Sequence, residues 1–285
     1  MASDIIITSD STTDLSKELC ERYKITVMPL CITLGDKLYT DGVDITPDDI
    51  YAHHDRTGEL PKTTATNVGD CLDFFSQFTS QGKTVIHFTI SSEMSSTYNN
   101  ACMAAEELGN VYIIDTKNLS TGGGLLVITA AELLNQGLPV EEIVEKTRET
   151  VARVDASFVI DNLEYLYKGG RCSAVAMLGA NLLKLKPCIQ VKNGKMDVAK
   201  KYRGRYADVL KQYVVDKIGD YSDIDLDRVF VTHAGCDPQL VNDIVELVKK
   251  TAPFKEVFLT RAGCTVSSHC GANTLGVLFI RKSPI

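Results

Sequence analysis

The sequence predicts a two-lobed α/β protein, with a parallel-sheet α/β domain over residues 1–150 and an α+β domain over residues 151–285. Three observations carry that reading. Short β-branched runs alternate with amphipathic stretches through the first half, the rhythm of successive βα units. Past residue 150 the rhythm changes, and Asn193-Gly194 between two β-like runs marks an antiparallel hairpin. The chain, 285 residues at 44% hydrophobic content, is long enough for two modest lobes to bury real cores.

Taken in order, a strand over residues 4–8 precedes a helix over 15–24, with Asp10, Ser11, Thr12 and Thr13 between them. Residues 25–33 read as one strand that ends at a Gly35-Asp36 turn. Thr46-Pro47-Asp48-Asp49 supplies a cap, a first-turn proline and two acids, which together start a helix. Helix 68–80, strand 84–90, helix 97–108, strand 111–115 and helix 125–135 then continue the parallel βα pattern. Pro139 opens a helix over 140–154, whose early glutamates and later basic residues suit the helix dipole. In the second half we expect strand 158–160, helix 163–167, an apolar helix 174–183, the hairpin, helix 207–218, strand 229–233, helix 238–250 capped by Asp237, and strands 257–260 and 275–280. No internal repeat and no low-complexity linker interrupts this order.

A formal charge of -7 opposes non-specific binding to nucleic acid or to an anionic membrane surface. The N-terminus lacks a basic leader, and no apolar run approaches the ~18 residues of a membrane span, so a cytoplasmic protein is expected. The nine cysteines are scattered through hydrophobic segments without a C-x-x-C, which predicts reduced core thiols. Cys264 and Cys270 flank His269, but a zinc set lacks its further ligands, so no metal is expected. Thr121-Gly122-Gly123-Gly124 lacks the GxGxxG spacing and no P-loop motif occurs, which argues against a bound dinucleotide or a P-loop.

The chemistry concentrates in hydroxyl-rich turns. Thr89-Ile90-Ser91-Ser92-Glu93-Met94-Ser95-Ser96-Thr97-Tyr98 joins a strand to a helix, so its hydroxyls either cap that helix or offer donors to an anion. Lys62-Thr63-Thr64-Ala65-Thr66-Asn67 reads as a second such helix entrance. Both should lie beyond the carboxyl ends of the parallel strands, where ligands collect. His269 falls in a stretch dense in small residues, Gly263 to Asn273, which reads as a loop able to approach a ligand closely. Arg171 after Gly169-Gly170, and Arg203 and Arg205 in a basic segment, are either solvated or poised for carboxylates and phosphates. Ser95 and His269 with Asp10 or Asp115 would compose a hydrolase triad, although no GxSxG elbow is present.

In order and spacing, several pieces resemble the DegV family of bacterial fatty-acid-binding proteins, which includes the acyl-binding subunit of fatty acid kinase. They are Thr8-Ser9-Asp10-Ser11-Thr12-Thr13-Asp14-Leu15, Pro29-Leu30, Lys62-Thr63-Thr64, Ile90-Ser91-Ser92 through Ser95-Ser96-Thr97-Tyr98, Gly169-Gly170-Arg171 and Ser268-His269-Cys270-Gly271. The resemblance implies two α/β lobes enclosing an acyl-chain tunnel, with no cofactor and a long-chain fatty acid as ligand. It implies that Thr63 and Ser95, with Thr64 and Ser96 beside them, hold the carboxylate and that His269 assists. It further implies a carrier rather than an enzyme, with Arg171 and Arg203 or Arg205 engaging an ATP-dependent kinase that makes the acyl phosphate. Ala65-Thr66 replaces the family's Gln-Pro, Glu93 a common glycine, and Ser96 the glycine of Leu-Ser-Gly-Thr. In such a tunnel, roughly fourteen buried methylenes at about 0.8 kcal/mol each outweigh the few hydrogen bonds of one carboxylate, so affinity comes from the tail and orientation from the head. Residues 174–180 are expected first as plain core packing, with tunnel lining as the alternative.

Overall fold

The computed structural model describes residues 5–176 and 185–285. Its first elements are β1 (Ile5–Asp10), α1 (Lys17–Tyr23), β2 (Ile25–Met28), β3 (Cys31–Leu34), β4 (Lys37–Thr40), α2 (Pro47–Thr57), β5 (Lys62–Thr64) and α3 (Val68–Thr79). There follow β6 (Thr84–Thr89), α4 (Thr97–Leu108), β7 (Val111–Asp115), α5 (Thr121–Asn135), α6 (Val140–Val151), β8 (Val154–Ile160), α7 (Glu164–Gly169) and α8 (Ser173–Ala176). The remainder is β9 (Lys186–Lys192), β10 (Lys195–Tyr202), α9 (Tyr206–Ile218), β11 (Ile224–Ala234), α10 (Pro238–Thr251), β12 (Glu256–Arg261), α11 (Cys264–Cys270) and β13 (Thr274–Arg281).

A parallel four-stranded sheet, ordered β2-β1-β6-β7, forms the N-terminal α/β part. A separate six-stranded sheet, β10-β9-β8-β13-β11-β12, is antiparallel except for the β11–β12 pair. Between these parts runs α5, from which Leu125, Leu126, Val127, Ile128, Ala130 and Ala131 are all buried. A helix apolar on all sides must be covered on all sides, and α5 shares one core with Ile7 and Ile86 of the first sheet and Phe158 and Leu278 of the second. Its opening glycines serve that packing: a Cβ on Gly124 would stand 2.8 Å from Leu15 and 3.0 Å from the Thr13 carbonyl.

Several elements depart from the sequence reading. The run 25–33 is two strands: Pro29 has no N–H for a ladder, so the chain leaves the parallel sheet at Met28 and re-enters a second one at Cys31. That second sheet, β4-β3-β5, is antiparallel and was not anticipated, its strands being only three or four residues long. Residues 62–64 are therefore an edge strand, and Asn67 rather than a threonine caps α3. Helix α5 begins at Thr121, through the glycines, and α6 stops at Val151 so that β8 can start at Val154. The stretch from Gly263 to Asn273 is not a loop: it contains α11, of which six residues are buried. The apolar helix expected over 174–183 begins within α8, and residues 177–183 lie outside the described residues.

Candidate functional site

Three chain segments far apart in sequence meet at one cavity of about 510 Å³, inside the range of roughly 300–1,000 Å³ usual for small-molecule sites. The first is β5, where Thr63 pairs with Ile32 and is half-buried while Thr64, one residue on, is exposed. The second is the turn from Ser91 to Ser96 that joins β6 to α4. It is held by the Ser91 hydroxyl donating to the Gly194 carbonyl at 2.7 Å, by the Ser92 N–H on Asp115 at 3.2 Å, and by Met94 and Ser95 N–H groups on the Ser91 carbonyl. A half-buried Ser95 results, its hydroxyl 3.0 Å from that of Thr97, with Ser96 exposed beside it. The Asn100 amide donates to the Thr66 carbonyl at 2.7 Å and so ties α4 to the chain leaving β5.

The third segment is α11. Its first N–H groups are claimed by carboxylates more than two hundred positions earlier: Gly263 N–H by Asp14 at 2.8 Å, Cys264 N–H by Asp41 at 2.8 Å and Thr265 N–H by Asp41 at 3.1 Å. Carboxyl oxygens there satisfy donors that the helix itself leaves free. Fixed there, α11 turns Thr265, Val266, His269 and Cys270 toward the cavity. His269 Nε2 lies 2.8 Å from Thr63 Oγ1, and its Nδ1 is buried without a hydrogen-bond partner. The ring fits because residue 169 is glycine; a Cβ there would stand 2.6 Å from Nδ1.

Burial, and secondarily the positive charge of Arg171, lowers the His269 pKa to about 4, so the imidazole is neutral at pH 7. Its one hydrogen bond then decides the tautomer. A buried N–H without an acceptor is rarer in folded proteins than a lone pair without a donor, which puts the proton on Nε2, donating to Thr63 Oγ1. The Thr63 hydroxyl proton is thereby left free to point into the cavity. Burial also pushes Asp10 up to about 6 and Asp14 up to about 8, against hydrogen bonds that favour their charged forms.

Of the residues singled out from sequence, the structure brings Thr63, Thr64, Ser95, Ser96, His269 and Arg171 to one cavity. Arg171 is exposed at that cavity, its guanidinium on the Gly169 carbonyl at 2.8 Å. Arg203 and Arg205 are exposed outside the lining, between β10 and α9, with Arg205 paired to Asp208 at 2.8 Å. A triad is not assembled among the described residues. His269 bonds Thr63 rather than Ser95, Asp10 holds the N–H groups of Thr12 and Ile90, and Asp115 holds those of Ser92 and Lys117. No group of three or more potential ligands suited to a metal ion occurs among the described residues, and none of their helices is long and apolar enough to cross a membrane. The reading from sequence did not reach Asn100, Asp14 or Asp41 as organisers of the site. Their roles depend on partners distant in sequence.

The remaining wall of the cavity is apolar, with Leu30, Ile90, Met94, Leu119 and Met196 among its residues. Residues 4–282 match the model of the DegV family, described as an uncharacterised protein family. A DegV domain-containing protein of Caldanaerobacter subterraneus is 30% identical over 281 residues, covering 98% of this chain and 99% of its own. The structure is similar to that of a Thermus thermophilus DegV family protein described by its fatty acid binding, with a TM-score of 0.89 and 26% identity over 97% of this chain and 99% of that one. It is also similar to Bacillus subtilis DegV, described as a fatty acid binding protein, with a TM-score of 0.84 and 26% identity over 98% and 99% of the two chains. A stearic acid-binding protein of Eubacterium ventriosum shares 30% identity and a TM-score of 0.83 over 97% and 98%.

Proposed function

This chain belongs to the DegV family, and on that premise we propose that it binds a long-chain fatty acid and presents the carboxylate to an ATP-dependent fatty acid kinase. The observation that carries the reading is the pairing of His269 with Thr63 at the polar end of a cavity whose other walls are apolar. In this account the Nε2–H of His269 donates to Thr63, and the Thr63 and Ser95 hydroxyls donate to the carboxylate, with Thr64 and Ser96 at its outer side. Hydrogen bonds to a charged acceptor are about twice as strong as neutral ones, and the neutral imidazole lets Thr63 act as donor rather than acceptor. Arg171 adds positive charge at the same end. The hydrocarbon lies along Leu30, Ile90, Met94, Leu119 and Met196.

The protein acts as a carrier in this reading, and the kinase supplies the phosphoryl group. Arg203 and Arg205, exposed on an otherwise acidic chain and outside the cavity lining, are proposed to meet the kinase surface. Mass spectrometry of lipid extracted from the purified protein tests the ligand. A long-chain fatty acid in near-stoichiometric amount supports the reading, and a different carboxylated or phosphorylated molecule overturns it. Turnover of a chromogenic acyl ester by the protein alone, lost in both Ser95→Ala and His269→Ala, would instead favour a hydrolase.

A further inference from the structure

Beyond Leu119, Val266 and Cys270, which line the main cavity, the same three side chains also line a second and much smaller one of about 30 Å³. Its floor is the six-stranded sheet. Phe158 and Ala156 of β8 stand opposite Gly276 and Leu278 of β13 in antiparallel register, and all four line this space. Gly276 keeps the floor open, since a Cβ there would sit 3.1 Å from that of Phe158 and 2.8 Å from the Ser157 carbonyl.

Three hydroxyl residues also border the small cavity, yet each hydroxyl is already engaged. Ser120 donates to Asp14 at 2.5 Å, Thr232 lies 2.6 Å from Thr121 and 2.9 Å from Thr260, and Thr274 donates to the Cys270 carbonyl at 3.0 Å. A polar end group on a ligand would find no free partner among these hydroxyls, and His233, also in the lining, accepts the Cys236 N–H at its Nδ1 at 3.4 Å, so hydrocarbon suits the space better. The volume admits roughly one water-sized group.

We propose that this small cavity receives the terminal methyl of the acyl chain, and that its size makes the protein selective for straight-chain over terminally branched fatty acids. The inference rests on the fatty-acid reading of the main cavity. An iso-branched tail of the same main-chain length carries two methyls on one carbon where there is space for about one, so it must withdraw by about a carbon. Each methylene kept out of the apolar site weakens binding about fourfold.

The test is titration of the full chain with straight-chain fatty acids of increasing length and with iso-branched acids of the same main-chain length. At the length where straight-chain affinity stops rising, the iso acid is expected to bind about fourfold more weakly. Leu278→Ala, which widens the floor, should bring the two acids to parity. Ala156→Val, which fills it, should move the plateau to chains shorter by about one or two carbons. Equal binding of the straight and iso acids at every main-chain length, or a uniform weakening across all lengths in Ala156→Val, would overturn this inference and leave the reading of the main cavity intact. Failure of the wild-type chain to bind any fatty acid would overturn both.

Discussion

His269 Nε2 and Thr63 Oγ1 are 2.8 Å apart although 206 positions separate them in the chain. One residue is on a buried helix packed against α7 and α2, the other on a three-residue edge strand of the small antiparallel sheet. Their contact exists because Asp14 and Asp41 fix one end of α11 and Gly169 leaves space at the other. The polar end of the cavity is thus set by groups that would never touch a ligand.

Gly169→Ala tests that arrangement. The position does not have a left-handed backbone, so alanine is conformationally allowed and should favour the helix slightly. Its Cβ would nonetheless displace the His269 ring, being 2.6 Å from Nδ1. Overpacking against the buried ring should lower stability by roughly 1–3 kcal/mol, and fatty-acid binding should weaken by roughly a further 1 kcal/mol, the worth of one hydrogen bond. Thermal melts paired with titration of a fluorescent fatty acid separate the two effects.

The helix α4 and strand β7 were readable to the residue, because Gly109 ends one and β-branched residues define the other. The start of α2 was equally plain, and its capping box forms as Thr46 and Asp49 suggest. The small sheet was not legible, since strands of three or four residues carry too little periodicity, although Pro29 does mark the break between β2 and β3 that the reading of 25–33 as one strand passed over. Neither was α11, whose N-terminal donors are met by Asp14 and Asp41 rather than by a neighbouring cap. Thr63, Ser95 and His269 could each be picked out by residue type, and the two hydroxyl turns placed at one end of the sheet, but only the resemblance to a known family joined all three in one site. Local sequence contains nothing that brings positions 63 and 269 together.

Stability should depend on pH through Asp14. Its folded pKa, raised by burial from 3.8 to about 8, means the folded state holds a proton that the unfolded chain has lost. Stability from that proton is complete below about 4 and is lost as pH rises through 8. Asp10, raised to about 6, acts in the same direction over a narrower window. Neutral buried His87 and His269, lowered to about 3 and about 4, act oppositely below 6.5. Between pH 6.5 and 8 the Asp14 effect therefore stands clear, and wild type should lose roughly 1–2 kcal/mol there while Asp14→Asn should not. Urea denaturation across that interval measures it.

Arg203→Ala should leave fatty-acid affinity at the wild-type value and slow acyl-phosphate formation by the cognate kinase. Exposed charges at the rim of an interface act mainly on the association rate, so the wild-type reaction should also slow as salt rises. The check is acyl-phosphate yield against time at two ionic strengths, with bound lipid quantified in the same samples. An unchanged yield would return Arg203 to the role of a solvated surface residue.

The most direct test of the central claim is calorimetric titration of one long-chain fatty acid into wild type, Thr63→Ala, Ser95→Ala and the double variant. Each single change removes a donor to the carboxylate and should weaken binding by roughly 1–3 kcal/mol, with a larger loss in the double variant. The corresponding methyl ester, which lacks the charge, should bind all four proteins with nearly equal affinity. Wild-type affinity for the free acid in the double variant would contradict the account and place the carboxylate elsewhere.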